Sequence, residues 1–198
     1  MARHAHRAAD VNRPGTRCYN RELVDTDLQK LLCATAFSAE KHRNQRRKDR
    51  DASPYVNHPI ALANVLAQAG VDDVSVIIAA LLHDTIEDTD TTFEELARNF
   101  GNDIATVVLE VTDDKLLTKA ERKRLQVEHA PTISDRAKLV KLADKICNVR
   151  DLSSSPPHDW PLERRREYFD WSRQVVDGLR GVHPQLEYLF DAEYAKRP

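Results

Sequence analysis

Apolar residues recur at helical spacing along most of the chain, and turn-forming residues cut the recurrence into segments. Leu28, Leu31, Leu32, Ala36 and Phe37 follow Thr26 and Asp27 and predict a first helix reaching about residue 44. A loop over residues 45–57 contains Pro54 and leads to Pro59, which suits a first helical turn; that second helix should stop at Gly70 in a left-handed cap. The next is expected to run from Asp73 through Asp88. Thr92-Phe93-Glu94-Glu95 and Thr118-Lys119-Ala120-Glu121 have capping-box spacing, and Gly101 should close the first of those two helices. Ser134 precedes a long amphipathic stretch to about Leu152. Residues 153–161 form a turn-rich loop, Pro161 opens another helix, and Pro184 opens the last. No alternating run of useful length appears, so the expected class is all-α: one helical domain over residues 26–198, without internal repeats.

Val76–Leu82 is apolar at every position, which covers all faces, so its helix should be central. This longest apolar run is far too short to span a bilayer, and no membrane association is expected. With 198 residues, 41% hydrophobic and 31% charged, the chain reads as a soluble globular protein able to bury a core without disulfides. Its five glycines form neither a Gly-rich loop followed by Lys-Ser/Thr nor a G-x-G-x-x-G, which excludes P-loop and Rossmann nucleotide sites. Cys18, Cys33 and Cys147 are odd in number and widely spaced, which fits a reducing compartment, the cytoplasm, rather than a disulfide framework. Residues 1–24 hold five Arg and two His with no apolar signal core, so residues 1–25 are expected to be a loose N-terminal extension.

The net charge of −2 conceals a segregation. Residues 1–50 carry 12 basic and 6 acidic side chains, whereas residues 51–97 carry nine acids and no Lys or Arg. Lys41, Arg43, Arg46, Arg47, Lys48 and Arg50 crowd one stretch, either a solvated surface or a lobe for phosphates beside an acidic lobe for metal.

The acidic lobe holds the most informative segment. After Val76–Leu82 the chain delivers His83, Asp84, Glu87 and Asp88 within two turns, with no basic residue nearby in sequence. Buried carboxylates need a partner, and a divalent cation would supply one. His58, in Tyr55-Val56-Asn57-His58-Pro59, begins a helix just upstream and reads either as a ligand or as a locally hydrogen-bonded helix start. Asp144 lies on the edge of a helix whose apolar stripe is Leu139, Leu142, Ile146 and Val149; its rival reading is a salt bridge to Lys141 or Lys145. Two imidazoles and two carboxylates make a mixed N/O set suited to Mn²⁺, Fe²⁺ or Zn²⁺ rather than Ca²⁺. A second His-Asp pair, His158-Asp159, sits in a Ser/Pro loop and serves as a control without expected metal binding. His83 and Glu87, like Asp84 and Asp88, are four apart; on one continuous helix each pair shares a face about 6 Å apart along the axis.

Tyr55–Pro59, Leu81–Asp90 and Leu139–Arg150 resemble three signature blocks of the HD superfamily of metal phosphohydrolases. Arg46-Arg47-Lys48-Asp49 and Glu87-Asp88 resemble its RelA/SpoT-type (p)ppGpp hydrolase branch. Thr112-Asp113-Asp114-Lys115 and Glu121-Arg122-Lys123-Arg124-Leu125-Gln126 are similar to the stand-alone hydrolases of animals. The resemblance covers roughly residues 28 to 180; Arg50 departs from it, standing where the family often has Pro. It implies one Mn²⁺ held by His58, His83, Asp84 and Asp144, with Glu87 and Asp88 as the catalytic pair. It also implies nucleotide contacts from Arg47, Lys48, Lys119, Asn148 and Tyr168, the last reading equally as a half-buried helix aromatic.

The implied reaction removes the 3′-pyrophosphate of ppGpp or pppGpp, leaving GDP or GTP, without synthetase activity. The metal would acidify a water and polarise a phosphoryl oxygen, and Glu87-Asp88 would handle protons. Three alternatives stand beside it: removal of the 2′-phosphate of NADPH, nucleic-acid binding through residues 41–50, and a catalytically silent ligand sensor. The net charge of −2 and the lack of interleaved aromatics oppose the second, so no nucleic-acid partner is expected. The intact ligand set opposes the third. Nothing in the pattern specifies an oligomer.

Overall fold

A computed structural model of the protein describes residues 26–198, so the extension expected over residues 1–25 lies outside the described residues. The chain runs α1 (Asp27–Lys41), α2 (Asn57–Ala69), α3 (Val74–Leu82), α4 (Thr85–Asp88), α5 (Phe93–Phe100), α6 (Asn102–Val111), α7 (Lys119–His129), α8 (Asp135–Ser154), α9 (Leu162–Asp177) and α10 (Pro184–Tyr194). The fold is all-α; among the described residues the one β feature is an isolated bridge between Arg46 and Pro54.

Helix starts follow the expected capping chemistry. Side chains of Thr26, Asp73, Thr92, Thr118 and Ser134 accept N-terminal N–H groups of α1, α3, α5, α7 and α8. The Thr118–Glu121 box is complete in both directions, whereas Thr92 caps α5 with only its own half described. Glu95 reaches instead to Lys41, 3.0 Å away. Gly70 ends α2 with φ 91°, the left-handed conformation glycine adopts without strain.

Three boundaries differ from expectation. α1 ends at Lys41, and its stripe is split: Leu31 and Phe37 pack on the core, but Leu28 and Leu32 are exposed, because Ala34 and Ser38 define the inward face. Residues 102–111 form a helix that the sequence reading left unassigned; Gly101, at φ 93°, turns α5 directly into it. The helix expected from Asp73 through Asp88 breaks at His83-Asp84. There His83 Nδ1 bonds Ala80 O at 2.8 Å and Thr85 Oγ1 donates to Leu82 O at 2.7 Å, while Asp84 takes the bridge conformation (φ −98°, ψ 0°). His83 and Glu87 therefore do not share one helix face. Asp84 and Asp88 keep their one-turn relation, since Asp88 N–H donates to Asp84 O at 2.8 Å.

α3 is central, packed against α1, α2, α6 and α8, with Val76 and Ile78 through Leu82 buried. α8 is the second axis, burying Val140, Leu142, Ile146 and Val149 and meeting α2, α9 and α10. Phe169 of α9 and Phe190 of α10 are fully buried behind it. No described helix is long and apolar enough to cross a membrane. The consequence for the site is geometric: the start of α2, the end of α3 and the middle of α8 converge.

Candidate metal centre and nucleotide cleft

That convergence brings His58, His83, Asp84 and Asp144 together. One ligand atom each from His58, His83 and Asp84 lie within 4.8 Å of one another, and His58 Nε2 is 3.2 Å from Asp144 Oδ1. Because His83 Nδ1 donates to Ala80 O, Nε2 is the ring nitrogen that faces the cluster and would bind an ion on losing its proton. This nitrogen is 2.8 Å from Asp84 Oδ2 yet makes no hydrogen bond. His58 Nδ1 is likewise buried without a hydrogen-bond partner. Tyr55 Oη donates to Asp84 Oδ2 and fixes that carboxylate. Two buried imidazoles beside two oriented carboxylates, with no thiolate, fit a divalent cation of intermediate hardness.

The charges tell the same story. Burial pulls the His83 pKa down, but the Asp84 and Asp144 carboxylates outweigh it and hold the imidazole up at about 9. Burial pushes Asp84 and Asp144 up, yet cationic neighbours win and both lie well below the usual carboxylate range. For Asp144 the strongest such neighbour is Lys145, buried and 3.1 Å from Oδ2. Asp144 thus makes the salt bridge of its rival reading and also joins the cluster. Lys141 does neither; its ammonium donates to Val111 O at 2.9 Å, at the end of α6.

Glu87 and Asp88 sit on α4, just beyond the cluster. Glu87 Oε2 accepts the Asp113 N–H at 3.1 Å, and Asp88 accepts from Gln45 Nε2 at 3.3 Å and from Lys115. Burial raises the Glu87 pKa, the Asp113 N–H opposes this, and the carboxylates of Asp84, Asp113 and Asp88 add to the rise. A raised carboxylate is a better proton acceptor near neutral pH than an ordinary one.

A cleft of about 560 Å³ opens over these groups and communicates with a smaller pocket of about 210 Å³ around the cluster. His58, Asp88, Arg47, Asn148 and Tyr168 line both. Asn148 Nδ2 donates to Asp144 Oδ1 at 2.6 Å and its Oδ1 receives Arg47 at 3.4 Å, so it ties the basic wall to the cluster. Arg47 also pairs with Asp151 at 2.6 Å and lies 5.8 Å from the Tyr55 ring. Lys48 is exposed on the cleft wall. Tyr168 stands between Trp160 (5.8 Å) and Trp171 (5.2 Å), and burial pushes its hydroxyl up to about 12. Lys119 stands outside both cavities, over the Trp160 ring at 5.9 Å, its pKa lowered by burial, Arg164 and Lys48. His158 is exposed in its loop, apart from the cluster.

Sequence reasoning missed Tyr55, Gln45, Asp113, Lys115 and Asp151 as parts of this site. Tyr55, Asp113 and Lys115 lie within the family-like sequence blocks, but only the fold shows which side chains they meet.

A helical core that gathers two histidines and two aspartates beneath a basic cleft is the architecture of an HD phosphohydrolase, and the chain belongs to that family: the HD domain model matches residues 34–170. HD domains are metal-dependent. The chain is 59% identical over 168 residues to guanosine-3′,5′-bis(diphosphate) 3′-pyrophosphohydrolase MESH1 of Danio rerio, covering 84% of this chain and 93% of that one. The Homo sapiens MESH1 of the same description is 55% identical over 165 residues, covering 83% and 92%. A solved structure described as a metazoan ortholog of SpoT that hydrolyses ppGpp and plays a role in starvation responses superposes with a TM-score of 0.82. It is 50% identical, covering 85% of this chain and 95% of that one.

Proposed function

We propose that this protein is a guanosine-3′,5′-bis(diphosphate) 3′-pyrophosphohydrolase, converting ppGpp and pppGpp to GDP and GTP plus pyrophosphate. The observation that carries the reading is the position of the His58–His83–Asp84–Asp144 cluster at the floor of a basic, nucleotide-sized cleft, in a chain whose relatives are named for that activity.

His58, His83, Asp84 and Asp144 would hold one divalent ion; the thiolate-free N/O donor set suits Mn²⁺, Fe²⁺ or Zn²⁺, and Mn²⁺ is the one the family resemblance implies. Such an ion polarises a phosphoryl oxygen and acidifies water. Glu87, raised in pKa and pinned by the Asp113 N–H, takes the proton of the water that attacks the phosphorus bonded to ribose O3′. The bond from that phosphorus to O3′ breaks, and the proton taken by Glu87 from water is passed by way of Asp88 to the departing ribose oxygen. Arg47 and Asn148 position the nucleotide, Tyr168 supplies an apolar wall, and Lys48 and Lys119 add positive charge at the rim. The catalytic unit is taken as residues 26–198, whose helices share one core, with residues 1–25 as an extension. A cytoplasmic setting is supported by the free, buried thiol of Cys147.

The test is product analysis with Mn²⁺-loaded protein. Equal amounts of GDP and pyrophosphate from ppGpp are expected, and GTP with pyrophosphate from pppGpp. Orthophosphate without pyrophosphate, or no turnover, would contradict the reading. NADPH, which presents a ribose 2′-phosphate to the same cluster, is the parallel arm; orthophosphate release from NADPH alone would reassign the substrate.

A further inference from the structure

The loop between α6 and α7 brings Lys115 to the catalytic pair. Its ammonium is hydrogen-bonded to Asp88 and lies 3.8 Å from Glu87 Oε1. The backbone beneath it is fixed on both sides. Asp113 N–H is held by Glu87, Asp113 Oδ2 by Gln126 Nε2 at 2.6 Å, and the loop closes through Leu116 N–H on Asp114 Oδ1 at 2.8 Å. The side chain itself is 49% exposed, so its end is free to move while its base is not.

Charge makes this placement consequential. Glu87 feels Asp84, Asp88 and Asp113 as like charges, and the stretch 51–97 contains no Lys or Arg. Among the described residues Lys115 is the one cation within ion-pair distance of Glu87 or Asp88. The other cations near the cluster are committed elsewhere: Arg47 to Asp151, Lys145 to Asp144, and Lys141 to the Val111 carbonyl. Asp88 lines both the large cleft and the inner pocket, and Lys115, which lines neither, reaches their edge through its hydrogen bond to Asp88. A pyrophosphate arriving there adds negative charge beside two carboxylates. A compact ammonium on a flexible stem can leave a carboxylate for a more highly charged phosphate.

We propose that Lys115 is a specificity-determining residue that grips the outer phosphate of the substrate's 3′-pyrophosphate, leaving Asp88 to do so and thereby freeing that carboxylate for proton transfer. The inference rests on the pyrophosphohydrolase reading above. It makes Lys115 sensitive to the second phosphate of the ribose 3′ group and indifferent to the first.

The experiment uses Mn²⁺-loaded wild type, Lys115→Ala and Lys115→Arg. It compares KM for ppGpp with the competitive Ki of guanosine 5′-diphosphate 3′-monophosphate, which lacks only the outer phosphate. Lys115→Ala should raise KM for ppGpp roughly tenfold, the scale of one charge-assisted hydrogen bond, and leave the Ki of the monophosphate within about twofold. Lys115→Arg should recover most of the loss. An equal rise in both constants would mean that the loop has collapsed, and a fall in kcat with KM unchanged would mean that Lys115 acts on Asp88 alone; either overturns the inference. Failure of the wild type to release pyrophosphate from ppGpp would instead strike the functional reading beneath it.

Discussion

Removing the divalent ion should destabilise the fold measurably, because its proposed ligands come from three separate parts of the chain. His58 opens α2, His83 and Asp84 lie at the break after α3, and Asp144 is in mid-α8. An unfolded chain does not hold these groups together, so an ion bound only by the native state stabilises it by RT ln(1 + [L]/Kd), about 2.7 kcal/mol at a hundredfold excess over Kd. Unfolding entropies near 2.1 cal/mol/K per residue give about 0.36 kcal/mol/K for a unit of roughly 170 residues, so this converts to a Tm shift of about 7 °C. The assay is a thermal melt of protein stripped by chelator and verified metal-free, then of the same sample with Mn²⁺ restored. Each variant is compared with itself, with and without metal. That matters for Asp144→Asn, which also leaves the buried Lys145 ammonium without its carboxylate and should melt lower for that reason alone. Asp84→Asn and Asp144→Asn should lose the Mn²⁺-dependent shift, whereas His158→Ala should keep it in full. An unchanged melt for verified metal-free wild type would refute the reasoning, and loss of the shift in His158→Ala would show that the wrong His-Asp pair had been chosen.

Arg47→Ala should raise KM for ppGpp by tenfold or more with normal metal content, since it removes the guanidinium that ties the α1–α2 loop to Asn148 and Asp151 of α8 on the cleft wall; unaltered kinetics with both ppGpp and NADPH would reduce the basic segment to a solvated surface. The folded-state pKa of Glu87 is raised above 4.5, so its contribution to stability is full below 4.5 and is lost as pH rises through the folded value. Glu87→Gln should therefore raise the Tm of the metal-free protein at pH 7 and change it little at pH 4; a lower Tm at pH 7 would contradict that. Thr118→Ala removes the side-chain half of the α7 capping box while residue 118 N–H still reaches Glu121, and should cost about 1 kcal/mol of stability, read from denaturant unfolding.

Much of this architecture is legible in the sequence because its signals are local. Thr26, Thr92, Thr118 and Ser134 cap the helices they were expected to start, Gly70 ends α2, and Pro184 opens α10. The apolar run Val76–Leu82 names the central helix because no solvated face can tolerate it. What escaped the sequence depends on distant partners. The break at His83-Asp84 arises where side chains, not the next turn, satisfy the carbonyls of Ala80 and Leu82, so a continuous helical pattern hides it. The exposed Leu28 and Leu32 follow helical spacing as faithfully as Leu31, and packing alone shows which face turns inward. Charge compensation of the acidic lobe was equally opaque: Lys41 reaches Asp90 and Glu95, and Lys115 reaches Glu87 and Asp88, across 27 to 54 residues of sequence. Those ion pairs mean that the acidic lobe does not rely on a metal for all of its balance; the carboxylates left facing the two buried imidazoles are Asp84 and Asp144.

The division of labour between that cluster and the pair on α4 is the centre of the account, and metal stoichiometry measured beside pyrophosphate release on the same preparation of Glu87→Gln tests it most directly. Retention of about one equivalent of metal with kcat lowered by about 10²–10⁴ is the expected result, the scale of losing a general acid–base group. Loss of the metal would make Glu87 a ligand, and full turnover would show that the attacking water needs no carboxylate there; either contradicts the account.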